Sequence, residues 1–168
     1  MSVELKLLPP RALFDTSVFI KAFNKTDPDH RVCRDLYEAM KTLPRSILWS
    51  TLSIAEILRG EPRRKIPRTP GIIIVPFDYD SATILGRKFP ADTLKQWREA
   101  GPGAPLDYYK FDAMILAIAL RHDVPLVTTD GPQGKRAKAV GVLAKHPTDY
   151  QPQLPLLAPT PIPPAPKT

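Results

Sequence analysis

Short apolar runs alternate with helical patterns along this chain, and that alternation restricts its fold more than any other feature. "RALF" (11–14), "SILWS" (46–50), "IIIVPF" (72–77) and "PLVTT" (125–129) read as strands, and "AVGVLA" (139–144) as a weaker fifth. Between them come "SVFIKAFN", "DHRVCRDLYEAMKTL", "SIAEILRG", "DYDSATILGRKF", "DTLKQWREAG" and "LDYYKFDAMILAIALRH", which read as helices. In the second of these, Val32, Cys33, Leu36, Tyr37, Met40 and Leu43 fall on one helical face. Apolar strands separated by helices predict a mainly parallel sheet covered on both faces. The expected class is α/β, a three-layer α/β/α fold around a parallel sheet of about five strands.

The 168 residues suggest one domain with a proper core. Residues 1–150 are assigned to that domain, with the folded part running from about 11 to 147. Residues 151–168, "QPQLPLLAPTPIPPAPKT", hold seven prolines in 18 positions and read as an extended or disordered tail. No apolar run reaches membrane-spanning length, and "MSVELKLLPP" lacks a signal-peptide pattern. A single cysteine, Cys33, excludes an intramolecular disulfide framework and agrees with a reducing cytoplasm, the expected location. The net charge of +7 favours a polyanionic partner such as nucleic acid.

Against this frame, Asp112 stands out. From Phe111 to Leu120, nine of ten residues are apolar and Asp112 is the exception. An unpaired carboxylate away from water is costly, so Asp112 sits at the wet end of its helix or meets a cation there. Three further acids fall where the same edge of the sheet is expected. Asp15 follows the first strand in "LFDTS", Asp130 follows the fourth in "LVTTD", and Glu56 lies in the first turn of the helix after the second strand. Ligands of such folds bind beyond the carboxyl ends of the strands. Four segments thus deliver four carboxylates to one rim, with Asp112 at the mouth and its apolar neighbours packed behind.

Carboxylates drawn together raise one another's pKa unless they share a cation. Oxygen-only ligation suits Mg²⁺ or Mn²⁺, which orients and activates water and neutralises phosphate charge. With the basic surface, this points to phosphodiester hydrolysis. Each acid also has a plainer reading. Asp15, followed by Thr16 and Ser17, is a helix-cap candidate. Ser53 and Glu56 have the spacing of a capping box. Asp112 would favour the helix dipole, with Asp107 as N-cap. Asp130 in "TTDGP" suits a turn. Basic candidates for gripping phosphates are Arg59, Arg63, Arg64, Lys65, Arg68, Lys135, Arg136 and, foremost, Lys110, two residues from Asp112; an ordinary solvated surface is the alternative. Tyr108 and Tyr109 are candidates for base stacking or for the core.

These residues, taken in order, resemble the PIN-domain nucleases, and most closely the VapC-like ribonuclease toxins. The resemblance spans residues 11 to 147. It rests on Asp15-Thr16-Ser17, on Ser53 and Glu56 in "STLSIAEILRG", on Asp112-Ala113 opening an apolar helix, and on Thr128-x-Asp130. The family implies an α/β/α fold and Mg²⁺- or Mn²⁺-dependent cleavage of RNA. Asp15, Glu56 and Asp112 would bind metal, with Asp130 as a more variable fourth acid. Thr16 and Thr128 would hold the acids in place by hydrogen bonds. Such toxins form homodimers and are silenced by an antitoxin encoded alongside. The proline-rich tail departs from the usual pattern and leaves open an RNA-processing role other than a toxin's.

Rival readings fare worse. Asp78 as a phosphoacceptor would need an acid pair at the first strand, where only Asp15 is offered. In "GPQGK" (131–135) the phosphate-loop spacing is too short, and Arg136 replaces the required hydroxyl residue. His30, His122 and His146 are scattered. The alternative from another class is a non-catalytic PIN-like module that binds RNA or protein without cutting.

Overall fold

The computed structural model describes residues 8–101, 103 and 105–153. The five strands are β1 (Arg11–Phe14), β2 (Ser46–Ser50), β3 (Ile72–Val75), β4 (Leu126–Val127) and β5 (Ala144–Lys145). They form one sheet in the order β3-β2-β1-β4-β5, and every pairing is parallel. The helices are α1 (Thr16–Phe23), α2 (His30–Met40), α3 (Thr51–Gly60), α4 (Tyr79–Lys88), α5 (Ala91–Ala100), α6 (Leu106–His122) and α7 (Gly131–Ala139). A 3₁₀ helix spans Pro147–Gln153. The remainder of the proline-rich segment, residues 154–168, lies outside the described residues.

Alternation along the central strands builds a core on each face of the sheet. Ala12 and Phe14 of β1 and Ile47 and Trp49 of β2 pack with Val18, Phe19 and Ala22 of α1 and with Cys33, Leu36, Tyr37 and Met40 of α2. Phe19 stacks on Trp49 with ring centroids 3.8 Å apart. Leu13, Leu48, Val75 and Leu126 face the other way, against Ala113, Ile115, Leu116, Ala117, Ile118 and Ala119 of α6. Residues on nearly every side of α6 are thus buried. Gly71 leads into β3 where the chain passes so close to Lys41 that a Cβ would lie 1.6 Å from its carbonyl oxygen. Glycine is required there by space.

Several expected boundaries shift. Strand β3 ends at Val75, and β4 holds two residues rather than five. The fifth strand lies at Ala144–Lys145, not over 139–144, because Gly131–Ala139 is helical. Leu43 lies beyond α2 and is 63% exposed, so it leaves the apolar face assigned to it. Cys33 is fully buried, and burial pushes its thiol up to about 12. Asp78 caps α4 by accepting the Ser81 N–H and pairs with Arg121, a structural post.

Candidate active site

Strands β1 to β3 run one way across the sheet, and β4 and β5 lie on the other side of β1. Strand order therefore reverses between β1 and β4, and their carboxyl ends open a crevice. Asp15 and Thr128 follow those two strands directly. The Asp15 N–H bonds to Val127 O at 2.9 Å, so the sheet pairing itself sets the position of this acid.

Asp15 stands at the N-cap position of α1, yet its side chain makes no capping bond. Its Oδ2 instead accepts Ser17 Oγ and Thr128 Oγ1, each at 2.9 Å. Both hydroxyls are in turn fixed by backbone. Ser17 Oγ accepts the Thr129 N–H at 3.1 Å, and Thr128 Oγ1 accepts the Asp130 N–H at 3.0 Å.

Glu56 lies one turn into α3. The capping box weighed for Ser53 and Glu56 is not formed: Ser50 is the cap, accepting the Ser53 N–H at 3.0 Å. Ser53 is buried and its hydroxyl meets Ser50, not Glu56. Glu56 is held by Thr16, whose hydroxyl donates to Oε2 at 2.5 Å. Asp130 caps α7 through Oδ1, which accepts the Gln133 N–H at 3.1 Å. Its Oδ2 accepts the Tyr108 hydroxyl at 2.8 Å.

Asp112 meets a cation, but not the expected one. Arg136 of α7 donates from Nη1 to Asp112 Oδ2, and the two side chains are only 13% and 12% exposed. The guanidinium also lies 4.9 Å from the Tyr109 ring centroid and 5.7 Å from those of Trp97 and Tyr108. Lys110 pairs instead with Asp107 at 3.1 Å, on an exposed face. Asp107 sits in the first turn of α6, and Pro105 takes the N-cap position given to it. Side chains at i and i+2 do not face each other on a helix, which explains why Lys110 and Asp112 diverge.

Among the other basic candidates, Arg64 pairs with Glu61 and lies over the Phe23 ring. Arg59 is exposed at the end of α3 and acts on Glu56 through its charge. Arg63, Arg68 and Lys135 are exposed. Lys135 lines two clefts. One, of about 580 Å³, is walled by Trp97, Tyr108, Tyr109 and Arg136. The other, of about 370 Å³, holds Asp130, Lys138, Lys145 and His146. Of the two tyrosines, Tyr109 belongs to the interior at 1% exposure and Tyr108 lies open on the cleft.

The acids act on one another. Burial raises the pKa of Asp15 against the pull of Thr128 and Ser17, and Asp130 adds to the rise. Burial also raises that of Glu56, with Asp15 contributing. Asp112 is pushed up to about 8 by burial; Arg136 opposes this, while Asp15, Asp130 and Glu56 reinforce it. Among the described residues, no group of three or more His, Cys, Asp or Glu side chains is drawn together into a ready metal cage. The donor chemistry nevertheless fits a hard divalent ion: the ligands on offer are all carboxylate oxygens, they repel one another, and one already takes a cation. Asp15, Glu56, Asp112 and Asp130 are the residues that could hold it.

The PIN domain family model matches residues 12–139. VapBC2 from Rickettsia felis, solved with a DNA fragment from its promoter, is similar at 15% identity and TM-score 0.56, over 81% of this chain and 98% of that one. FitAcB from Neisseria gonorrhoeae is similar at 17% identity and TM-score 0.56, over 82% and 98%. DNA-bound VapBC from Salmonella typhimurium gives 16% identity and TM-score 0.56, over 82% and 98%. At these identities the likeness is one of fold. No curated protein sequence matches the chain.

Proposed function

The chain belongs to the PIN-domain family, and from that footing we propose that it is a metal-dependent endoribonuclease, the toxin of a toxin–antitoxin pair. One observation carries the reading. Asp15, Glu56 and Asp130, from three separate segments, all stand within electrostatic reach of Asp112 on a fourth. Folding brings them together against their own repulsion, which a purely structural rim has no need to do.

In this reading Asp15, Glu56, Asp112 and Asp130 hold Mg²⁺ or Mn²⁺. When bound, such an ion supplies a water acidified for attack and positive charge for the scissile phosphate. Thr128 and Ser17 keep Asp15 aimed into the crevice, and Thr16 does the same for Glu56. Lys135 and Arg136 meet the phosphate backbone, and Tyr108 offers a face on which an unpaired base can stack. The likeness in fold to VapBC and FitAcB supports an antitoxin as partner, and the working form in this reading is a homodimer. The proline-rich segment is read as an appendage outside the domain.

The test is cleavage of a structured RNA by the purified chain with Mn²⁺, with EDTA, and with Asp112→Asn and Glu56→Gln alongside. Wild-type cleavage abolished by EDTA and by both substitutions is expected. Activity that persists in the variants would assign it to a contaminant. The second reading, a module that binds RNA or protein without cutting, is favoured by the Arg136–Asp112 pair, which neutralises one acid without any metal. RNA binding without cleavage, and without metal binding, would decide for it.

A further inference from the structure

Asp15, Glu56 and Asp130 are met by hydroxyls and one backbone N–H, whereas Asp112 carries an ion pair. Both members of that pair are largely withdrawn from water. Arg136 holds Asp112 Oδ2, and an ion ligated by the same carboxylate through either oxygen would stand close to the guanidinium, where two cations repel strongly in a partly buried site. We infer that Arg136 is a built-in stand-in for the metal: it occupies Asp112 in the metal-free protein and must leave for the ion to bind. The inference rests on the reading of Asp112 as a metal ligand.

Three features of the surroundings support an exchange rather than a fixed strut. Arg136 has a second set of contacts that does not involve Asp112: the rings of Tyr109, Trp97 and Tyr108 lie 4.9 to 5.7 Å from its guanidinium carbon. Those rings, with Lys135 and Pro132, wall the cleft of about 580 Å³, so the guanidinium has space to turn into while keeping aromatic faces beside it. Asp112, for its part, never faces the site uncompensated, since one positive group replaces another. The pair also explains how the apo protein tolerates four acids on one rim without a metal.

Such an exchange makes metal binding weaker than the four acids alone would allow, by the free energy of the pair. It also couples metal loading to a change in the cleft beside the site.

Side-chain ¹⁵N NMR of the full chain reads this directly. The Arg136 guanidinium resonances, assigned by their loss in Arg136→Lys, are followed through a titration with diamagnetic Mg²⁺. Calorimetry measures Mg²⁺ binding in parallel. The expected result is that these resonances shift with the midpoint of Mg²⁺ binding. Arg136→Gln should bind Mg²⁺ roughly tenfold more tightly or better, a usual size for coupling between two ligands of one site. Lys135→Gln, which removes a neighbouring charge that does not touch Asp112, should change the affinity far less. Guanidinium resonances unmoved at saturating Mg²⁺ would overturn the inference. So would a folded Arg136→Gln that binds Mg²⁺ no better than wild type. Absence of Mg²⁺ binding in every variant would instead overturn the metal reading, and this inference with it.

Discussion

Thr128 Oγ1 donates to Asp15 Oδ2 at 2.9 Å and accepts the Asp130 N–H at 3.0 Å. One hydroxyl therefore ties the acid after β1 to the backbone of the acid after β4. Thr128→Ala leaves Asp15, which is 8% exposed, short of one donor. The expected cost is about 1–3 kcal/mol of stability, the range for stripping a buried partner. Thr128→Ser keeps the hydroxyl and should recover most of it, whereas Thr128→Val should behave like Ala. Urea unfolding of the three variants checks this order. Equal stability of Ser and Val variants would place the role of Thr128 in its methyl group.

Asp112 gives the metal-free protein a distinctive pH dependence. Its carboxyl is held at about 8 by burial and by the other acids, so the folded chain keeps a proton that the unfolded chain loses near pH 4. Stability is then greatest at low pH and falls as pH rises towards the folded value. Asp15 and Glu56, also raised, add in the same sense. Asp112→Asn removes the share that belongs to Asp112. The pull of Arg136 is no separate offset, because it already lowers the folded value to about 8 and acts only on the ionised carboxylate. The midpoint of the variant relative to wild type should therefore climb between pH 5 and pH 8, measured in EDTA. Saturating Mg²⁺ should flatten the wild-type profile, because the ion takes over the stabilisation of the ionised acids. A difference constant across that range would remove Asp112 from the account.

The strands and the acid rim were legible because burial and topology act on local sequence. β1 and β2 are runs whose alternate residues serve two cores, and Asp15 directly follows β1 while Asp130 lies just beyond β4. Helix α7 was not legible. "GPQGKRAKA" contains two glycines and a proline, which argue for a turn, and its buried positions are only Gln133 and Ala137. It is helical because Asp130 caps it and Pro132 falls in the first turn, where no N–H is missed. With α7 unread, the partner of Asp112 could not be found: it comes from 24 residues away, across a tertiary contact. Lys110 was nearer in sequence and faces the wrong way.

Salt dependence of RNA binding separates the basic residues. Lys135, Lys138 and Lys145 line the cleft that includes Asp130 and stand free of the described ion pairs. Arg64 is committed to Glu61 and to the Phe23 ring. In EDTA, where nothing is cut, each cleft lysine changed to Gln should lower the slope of log K against log salt by about 0.7 for a single strand. Arg64→Gln should leave the slope unchanged. Filter binding across a salt series measures it, and a uniform response of all four variants would indicate diffuse attraction rather than a track.

Asp130 performs two tasks that substitution can split. Its Oδ1 caps α7 and its Oδ2 takes the Tyr108 hydroxyl. Asparagine retains a carbonyl oxygen that caps nearly as well as aspartate, but it carries no charge. Asp130→Asn should therefore keep stability within about 0.5 kcal/mol while weakening Mg²⁺ binding. Asp130→Ala loses the cap as well and should cost about 1 kcal/mol, typical for removal of an N-cap side chain. Thermal unfolding and Mg²⁺ calorimetry on the two variants give the division. If Asn destabilises as much as Ala, the charge of Asp130 at the N-terminus of α7 matters more than its hydrogen bond. If Asn binds Mg²⁺ as tightly as wild type, Asp130 caps a helix and has no part in holding the ion.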